Sequence, residues 1–309
     1  MLLSICIPTY NRAVKLRNTL LFLENEFNSL LCAEQQECEL IIRDNCSTDS
    51  TFETVSCIVN ENPFMHYYRN DRNLGASPNF VQVTKDAEGE YVWWLGDDDT
   101  IYNGILKLII NALNKYHPEI LFLNHRAGDF SNSNIEFESA ISTDVKEYYV
   151  DGKEGVCDIA KCSGVGSLLF MSSRIIKKSS LIESFSGVVF PSGTITLHSA
   201  FYAASKGSLS VVKDICIDND YGEISWKDRQ EQIAFKEIPD TLMELKEMGY
   251  LDEQVSIIQG SYLTFGRRQQ IFLYKIKKRN KVLYHLWNSV FSFELLINKL
   301  LKKVRNVVK

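Results

Sequence analysis

Three consecutive carboxylates, Asp97-Asp98-Asp99, follow the apolar run Tyr91-Val92-Trp93-Trp94-Leu95-Gly96. Like charges set side by side repel, so a chain that delivers three of them from the end of a buried strand has a use for a divalent cation there. Oxygen-only ligands favour Mg²⁺ or Mn²⁺ over zinc. Mg²⁺ takes one or two protein carboxylates and fills its shell with water and substrate phosphates, which suits a sugar-nucleotide diphosphate. The bland alternative for an isolated Asp triple is an exposed acidic turn. The clusters upstream decide between them.

Residues 2–7 form a β-branched-rich strand stopped by Pro8. Leu16, Leu20, Leu23 and Phe27 then recur at helical spacing, which predicts a helix reaching Leu30. A second strand over 38–42 runs into Arg43-Asp44-Asn45-Cys46-Ser47-Thr48-Asp49, where Ser47 or Thr48 can cap a helix carrying Phe52, Val55 and Val59. A third strand covers 65–68, a polar loop 69–78 and a short helix 80–87; the Trp-Trp run is the fourth strand. Strands alternating with helices imply a parallel sheet with right-handed crossovers, and such sheets bind ligands beyond the carboxyl ends of their strands. The polar clusters at 8–12, 44–49, 69–79 and 97–99 all fall at those ends, so they converge on one crevice. No Gly-x-Gly-x-x-Gly and no P-loop is present, which argues against a dinucleotide dehydrogenase and an NTPase.

Further along, the pattern predicts a helix over 101–116, a fifth strand over 120–123, polar irregular chain over 125–160 and a strand over 165–171. A helix over 196–205 ends at Gly207, and a late strand over 211–217 opens into Asp218-Asn219-Asp220-Tyr221-Gly222-Glu223. From residue 227 onward the pattern is helical.

The chain has 309 residues, 45% hydrophobic and 24% charged, the composition of an ordinary globular protein with a sizeable core. Eight cysteines without a CxxC pair read as core hydrophobes and reduced thiols, which places the expected compartment in the cytoplasm. The first apolar run is short and lacks a basic leader, so no signal peptide is expected, and no apolar span reaches the length of a transmembrane helix. The net charge of −5 is uneven: residues 266–309 hold 12 Lys and Arg against one acid, Glu294, and the rest of the chain is acidic.

Four motifs in order now carry a resemblance: Ser4-Ile5-Cys6-Ile7-Pro8-Thr9-Tyr10-Asn11-Arg12, then Asp44-Asn45-Cys46-Ser47-Thr48-Asp49, then Arg72-Asn73-Leu74-Gly75 with Asn79, then Trp94-Leu95-Gly96-Asp97-Asp98-Asp99. Together they resemble a family 2 glycosyltransferase of the GT-A fold, strongly over the first third of the chain. The Trp-Leu-Gly-Asp-Asp-Asp variant is similar to transferases of bacterial surface polysaccharides, including abequosyltransferase-like members. The resemblance implies an α/β fold: a Rossmann-like, mainly parallel sheet flanked by helices, with a helical C-terminal extension. It divides the chain into a nucleotide-sugar-binding half (1–100), an acceptor-binding half (101–226) and a helical basic region (227–309). It implies that Pro8, Thr9, Asn11 and Arg12 line the nucleotide pocket, that Asp44 accepts a hydrogen bond from the base, and that Arg72 reaches base or phosphates. Within the triple, one Asp (97 or 98) holds the ribose hydroxyls, and Asp98 or Asp99 holds Mn²⁺ or Mg²⁺. Gly75 is expected in a turn and Asn79 as a helix cap.

Family membership further implies inversion by a single displacement, with an acidic pair ahead of the helix that ends at Gly207. Here that start reads Gly193-Thr194-Ile195-Thr196-Leu197-His198, without the pair. His198 is the nearest titratable side chain, and an imidazole with a pKa of about 6.5 can act as general base; a packed histidine is the alternative. In the later acidic cluster Asp220 is the choice for a further catalytic or metal role. The basic, aromatic segment after residue 266 suits either an anionic membrane surface on its inner face, reaching a lipid-linked acceptor, or a helical subdomain packed on its own core or on a second copy in a homo-oligomer. Nucleic acid is not an expected partner. The expected donor is a nucleotide-diphosphate sugar and the acceptor a saccharide. Two rivals remain: a catalytically inactive sugar-nucleotide-binding scaffold of the same fold, and a nucleotidyltransferase, whose glycine-rich phosphate loop is not seen.

Overall fold

A computed structural model describes residues 1–186, 194–220 and 227–279. Ten strands form one sheet among them: β1 (Leu3–Thr9), β2 (Cys38–Asp44), β3 (Met65–Arg69), β4 (Tyr91–Trp94), β5 (Thr100–Ile101), β6 (Ile120–Asp129), β7 (Asn134–Phe137), β8 (Tyr148–Tyr149), β9 (Arg174–Lys177) and β10 (Leu209–Asp220). The spatial order is β3-β2-β1-β4-β9-β6-β10-β5, with β7 on β6 and β8 on β10. β3, β2, β1 and β4 are mutually parallel, as is β6 with β10. The short β9 runs antiparallel between β4 and β6 and joins the two parallel halves. The sheet runs unbroken past residue 100, because β5 pairs with β10.

Both faces of the central strands are covered, which is why β1, β4 and the first half of β6 are apolar at nearly every position, whereas β7 and the end of β3 are exposed. Ile5, Ile7, Trp93, Leu121 and Ile175 point into one core, with Leu16, Leu20, Leu23 and Phe27 of the Ala13–Ser29 helix. Cys6, Val92, Trp94, Phe122 and Ile176 point into the other, beneath the Gly152–Ser163 and Ile195–Lys206 helices. Each fully buried Leu or Phe contributes about 2 kcal/mol by its burial. The indoles also find polar partners: Trp93 Nε1 donates to the Ser172 carbonyl at 2.8 Å and Trp94 Nε1 to Thr84 Oγ1 at 3.0 Å.

Several expectations are corrected. Residues 165–171 are a helix (Val165–Leu169) and a following 3₁₀ turn (Met171–Ser173), because a short apolar run packed among helices carries no period that separates it from a strand. The stretch 125–160 is ordered: β6 continues to Asp129, β7 and β8 follow, and Asp151 caps the Gly152–Ser163 helix by accepting from the Lys153 amide. The helix expected from residue 101 starts at Ile105, after β5 and a turn at Gly104 with φ of 81°. Neither Ser47 nor Thr48 caps the Thr51–Val59 helix; Asp49 takes its Thr51 amide at 3.1 Å. Asn79 lies buried inside the Ala76–Asp86 helix, which starts after Gly75 at a φ of 85°.

Past residue 227 the described chain is helical, through Ile238–Met243, Asp252–Tyr262 and Phe265–Arg279. No helix among the described residues is long and apolar enough to cross a membrane. The expected membrane-facing tail lies, from residue 280 on, outside the described residues. Of its basic side chains, Arg267 lies over the Tyr262 ring and Lys277 pairs with Glu231 at 3.2 Å.

Candidate active site

The carboxyl ends of β1, β2, β3 and β4 meet at one edge, as parallel pairing in register requires. The turns there are tied together. Asn11 sits in the left-handed region (φ 54°), which asparagine tolerates; its amide donates to Ser47 Oγ at 2.8 Å and its Oδ1 accepts from the Thr48 amide at 2.8 Å. Pro8, the expected end of the strand, lies opposite Arg43 inside the β1–β2 register; the pairing runs on through Thr9, whose carbonyl accepts from the Asn45 amide at 2.9 Å.

Asp44 is fully buried, and its oxygens are taken from within: Oδ1 by the Ser47 amide (2.9 Å) and hydroxyl (2.5 Å), Oδ2 by the Tyr67 hydroxyl (2.7 Å), with Arg69 Nε at 3.6 Å. Burial and this carboxylate together push the Tyr67 phenol above its ordinary range. Asn45 is equally engaged, accepting from Asn70 and the Leu74 amide and donating to Asn73 and the Gly75 carbonyl. These contacts fold the 70–75 loop against β2. Arg72, exposed on that loop, lines a hollow of about 460 Å³ with Arg43, Arg69, Asn70 and Gln82.

The acidic triple sorts into three environments. Asp97 is buried and accepts from Thr9 Oγ1 at 2.6 Å, which joins the ends of β1 and β4; burial raises its pKa to about 6 against the lowering pull of Thr9. Asp99 turns back under the chain to accept from the Ser172 hydroxyl, and burial raises its pKa to about 7. Ser172 Oγ also accepts from the Gly96 amide at 2.8 Å, so one hydroxyl pins both ends of the turn. A Cβ on residue 96 would run into the Asp99 carboxylate, so any larger residue there must displace that side chain. Asp98 alone points outward, its Oδ2 at 3.5 Å from Arg12 Nη1 and 3.3 Å from Lys15 Nζ.

Asp98 and Asp99 line a second hollow of about 390 Å³ with Lys15, Thr19, Thr100 and Asp220. Asp220, from the end of β10, is thus brought to the acidic turn. Asp218 is not: Arg126 grips it with two nitrogens at 2.8 and 2.7 Å and the Tyr102 hydroxyl donates at 2.9 Å. Glu223 lies outside the described residues. No group of three or more His, Cys, Asp or Glu is placed to hold a metal ion by itself among the described residues. The donor set nevertheless fits Mg²⁺ or Mn²⁺ of the kind that leans on one or two carboxylates and on substrate phosphates, with Asp98 the outward-facing carboxylate.

His198 is on the first turn of the Ile195–Lys206 helix, with Nδ1 2.9 Å from Glu244 Oε2. The same turn is docked through Thr196 Oγ1 on the Leu169 carbonyl at 2.9 Å, three residues ahead of the Ser172 that pins Asp99. The helix start and the acidic turn therefore rest on one short segment. Lys15, Ser172, Asn70 and Glu244 were not singled out by the sequence. Only Lys15 carried a signal, as a basic residue one helical turn after Arg12; serine and asparagine on loops carry none.

A mainly parallel sheet with bound turns at one edge and an acidic turn after its central strand defines a GT-A glycosyltransferase fold. Solved structures of that kind superpose on it: *S. aureus* TarS 1–349 in complex with UDP-GlcNAc, with a TM-score of 0.63 and 19% identity over 93% of this chain and 79% of that one; and the mannosyltransferase PcManGT from *Pyrobaculum calidifontis* in complex with GDP-Man and Mn²⁺, with a TM-score of 0.61 and 16% identity over 95% and 80%. The chain belongs to glycosyl transferase family 2, whose family model matches residues 4–170. It is 31% identical over 182 residues to abequosyltransferase RfbV of *Salmonella typhimurium*, covering 58% of this chain and 53% of that protein. It is 28% identical over 189 residues to a GalNAc(5)-diNAcBac-PP-undecaprenol beta-1,3-glucosyltransferase of *Campylobacter jejuni*, covering 61% and 50%. The chain spans about half the length of these two relatives.

Proposed function

We propose that the chain is a metal-dependent, inverting glycosyltransferase that moves a sugar from a nucleotide-diphosphate donor to a saccharide or lipid-linked saccharide acceptor in bacterial surface polysaccharide synthesis. The observation that carries this reading is the Thr9–Asp97 hydrogen bond. It draws the first motif and the acidic turn into one edge, so that Asp98 faces the hollow where Asp99 and Asp220 also lie. The relatives named above act on nucleotide sugars or on undecaprenol-linked glycans by their names, which supports the donor and acceptor classes.

In this reading Pro8, Thr9, Asn11 and Arg12 line the donor's pocket, Arg72 reaches its base or phosphates, and Asp44 orders the base side through Ser47, Tyr67 and Arg69. Asp97, held by Thr9, faces the ribose. Asp98, with Asp99 or Asp220 beside it, would hold Mn²⁺ or Mg²⁺, which when bound neutralises charge on the departing diphosphate. His198, oriented through Nδ1 by Glu244, would be the general base that takes the acceptor's hydroxyl proton. The acceptor oxygen bonds to the anomeric carbon as the bond to the β-phosphate oxygen breaks, and that oxygen keeps the electron pair.

The test is a panel of UDP, GDP, TDP and CDP sugars incubated with Mn²⁺ and assayed for free nucleoside diphosphate. Release from one donor class supports the reading. Tight donor binding without release in the presence of acceptor lipids would leave the inactive scaffold, and pyrophosphate-dependent exchange would indicate nucleotidyl transfer.

A further inference from the structure

Both basic side chains that reach Asp98 converge on the same oxygen, Oδ2: Arg12 Nη1 at 3.5 Å and Lys15 Nζ at 3.3 Å. A divalent cation coordinates a carboxylate oxygen at about 2.0–2.2 Å. An ammonium at hydrogen-bond distance from that oxygen would then lie within a few ångström of the ion, where like charges repel strongly. Of the two, Lys15 lines the hollow shared by Asp98, Asp99 and Asp220, whereas Arg12 does not, and its four-carbon stem is the more adaptable. Lys15 is only partly exposed, on the helix surface that faces this hollow.

We propose that Lys15 is an exchangeable counter-cation: it neutralises Asp98 while the site is empty, yields that oxygen to the divalent ion, and then donates to the diphosphate oxygens of the arriving nucleotide. The exchange leaves the ammonium opposite net negative charge at each stage. With the site empty, the ammonium offsets repulsion among three carboxylates. With ion and diphosphate bound, the same ammonium faces added negative charge, and a lysine suits phosphate as a point charge. A rigid residue could not serve both partners. This inference rests on the proposed donor and metal, and it assigns Lys15 a positioning and donor-binding role that the four motifs do not include.

Two titrations by calorimetry test it, using the full chain and its Lys15→Met, Lys15→Arg and Lys107→Met variants. The first measures Mn²⁺ alone; the second measures the best-bound nucleoside diphosphate at saturating Mn²⁺. An exposed ion pair has a small coupling, so Lys15→Met should bind Mn²⁺ alone about threefold more tightly. It should bind nucleoside diphosphate about threefold or more weakly in the second titration. Lys15→Arg, which keeps the charge, should not tighten Mn²⁺ binding, and Lys107→Met, which removes the same charge at the Glu34 pair, should change neither value. Opposite signs for Lys15→Met establish the exchange. Equal signs, no change, or the same effect from Lys107→Met overturns it. If wild type and Lys15→Met both fail to bind Mn²⁺, the exchange is also refuted; nucleotide binding without metal would then show whether the transferase reading survives in a metal-free form.

Discussion

Replacing Ser172 by alanine removes one small, fully buried hydroxyl from a 3₁₀ turn, far in sequence from the acidic residues it holds. That hydroxyl accepts from the Gly96 amide and donates to Asp99. Losing the neutral bond costs about 1 kcal/mol and losing the charge-assisted one about 1.5–3 kcal/mol, because neither buried partner regains water easily. The expected destabilisation is therefore about 2.5–4 kcal/mol, a large part of a domain stability of roughly 5–15 kcal/mol. Urea unfolding followed by tryptophan fluorescence measures it, since Trp93 donates to the Ser172 carbonyl, which the substitution keeps. The midpoint should fall with an unchanged slope, the mark of lost stability rather than altered compactness. Donor turnover should fall by about tenfold or more, because a small displacement of a binding group is amplified in rate. A midpoint shift below about 0.5 kcal/mol with intact turnover would refute the idea that this hydroxyl fixes the turn.

Gly96→Ala should dislodge Asp99 and weaken Mn²⁺-dependent donor binding, read by calorimetry, while a substitution at the open, solvent-facing Gly166 leaves it unchanged. Thr9→Val removes the bond to Asp97 and should lower turnover with little change in fold by circular dichroism. His198→Ala and Asp220→Ala should abolish transfer with the fold retained; full turnover in both removes their assigned roles. His125 is buried among Phe122, Phe137 and Phe170, and burial lowers its pKa to about 4. Its folded pKa lies below the ordinary 6.5, so it contributes stability above pH 6.5 that is lost as pH falls toward 4, about 3 kcal/mol in all. The raised carboxyls of Asp97 and Asp99 act in the opposite sense, losing stability as pH rises through about 6 and about 7. Comparing wild type with His125→Phe by urea midpoints at pH 7 and 4.5 isolates the histidine: the variant should lose less stability on acidification, and equal losses contradict the assignment.

The first four strands were legible because their apolar and aromatic runs, buried in β1, β2 and β4, give way to polar turns after Thr9, Asp44, Arg69 and Gly96. The clustering of those turns followed from parallel pairing alone. The second half was harder to read. β9 has only four residues and inserts antiparallel between two parallel halves, an arrangement that no local pattern announces. Val165–Leu169 is too short for its period to show, and Asn79 looks like a cap until a buried network with Asn70 and the Arg43 carbonyl claims it. The acidic triple was visible as chemistry, but its division of labour was not, because it depends on Thr9, Ser172, Arg12 and Lys15 reaching it from three other elements.

Asp98 is the outward-facing carboxylate of the acidic turn, and the proposed reading has it hold the cation that bridges to the diphosphate. The most direct measurement is equilibrium binding of the preferred nucleoside diphosphate to wild type and Asp98→Asn, each with Mn²⁺ and with excess EDTA. Tight binding only by wild type with Mn²⁺ is the predicted result. Equal binding in all four conditions would contradict a cation-bridged donor site at this turn.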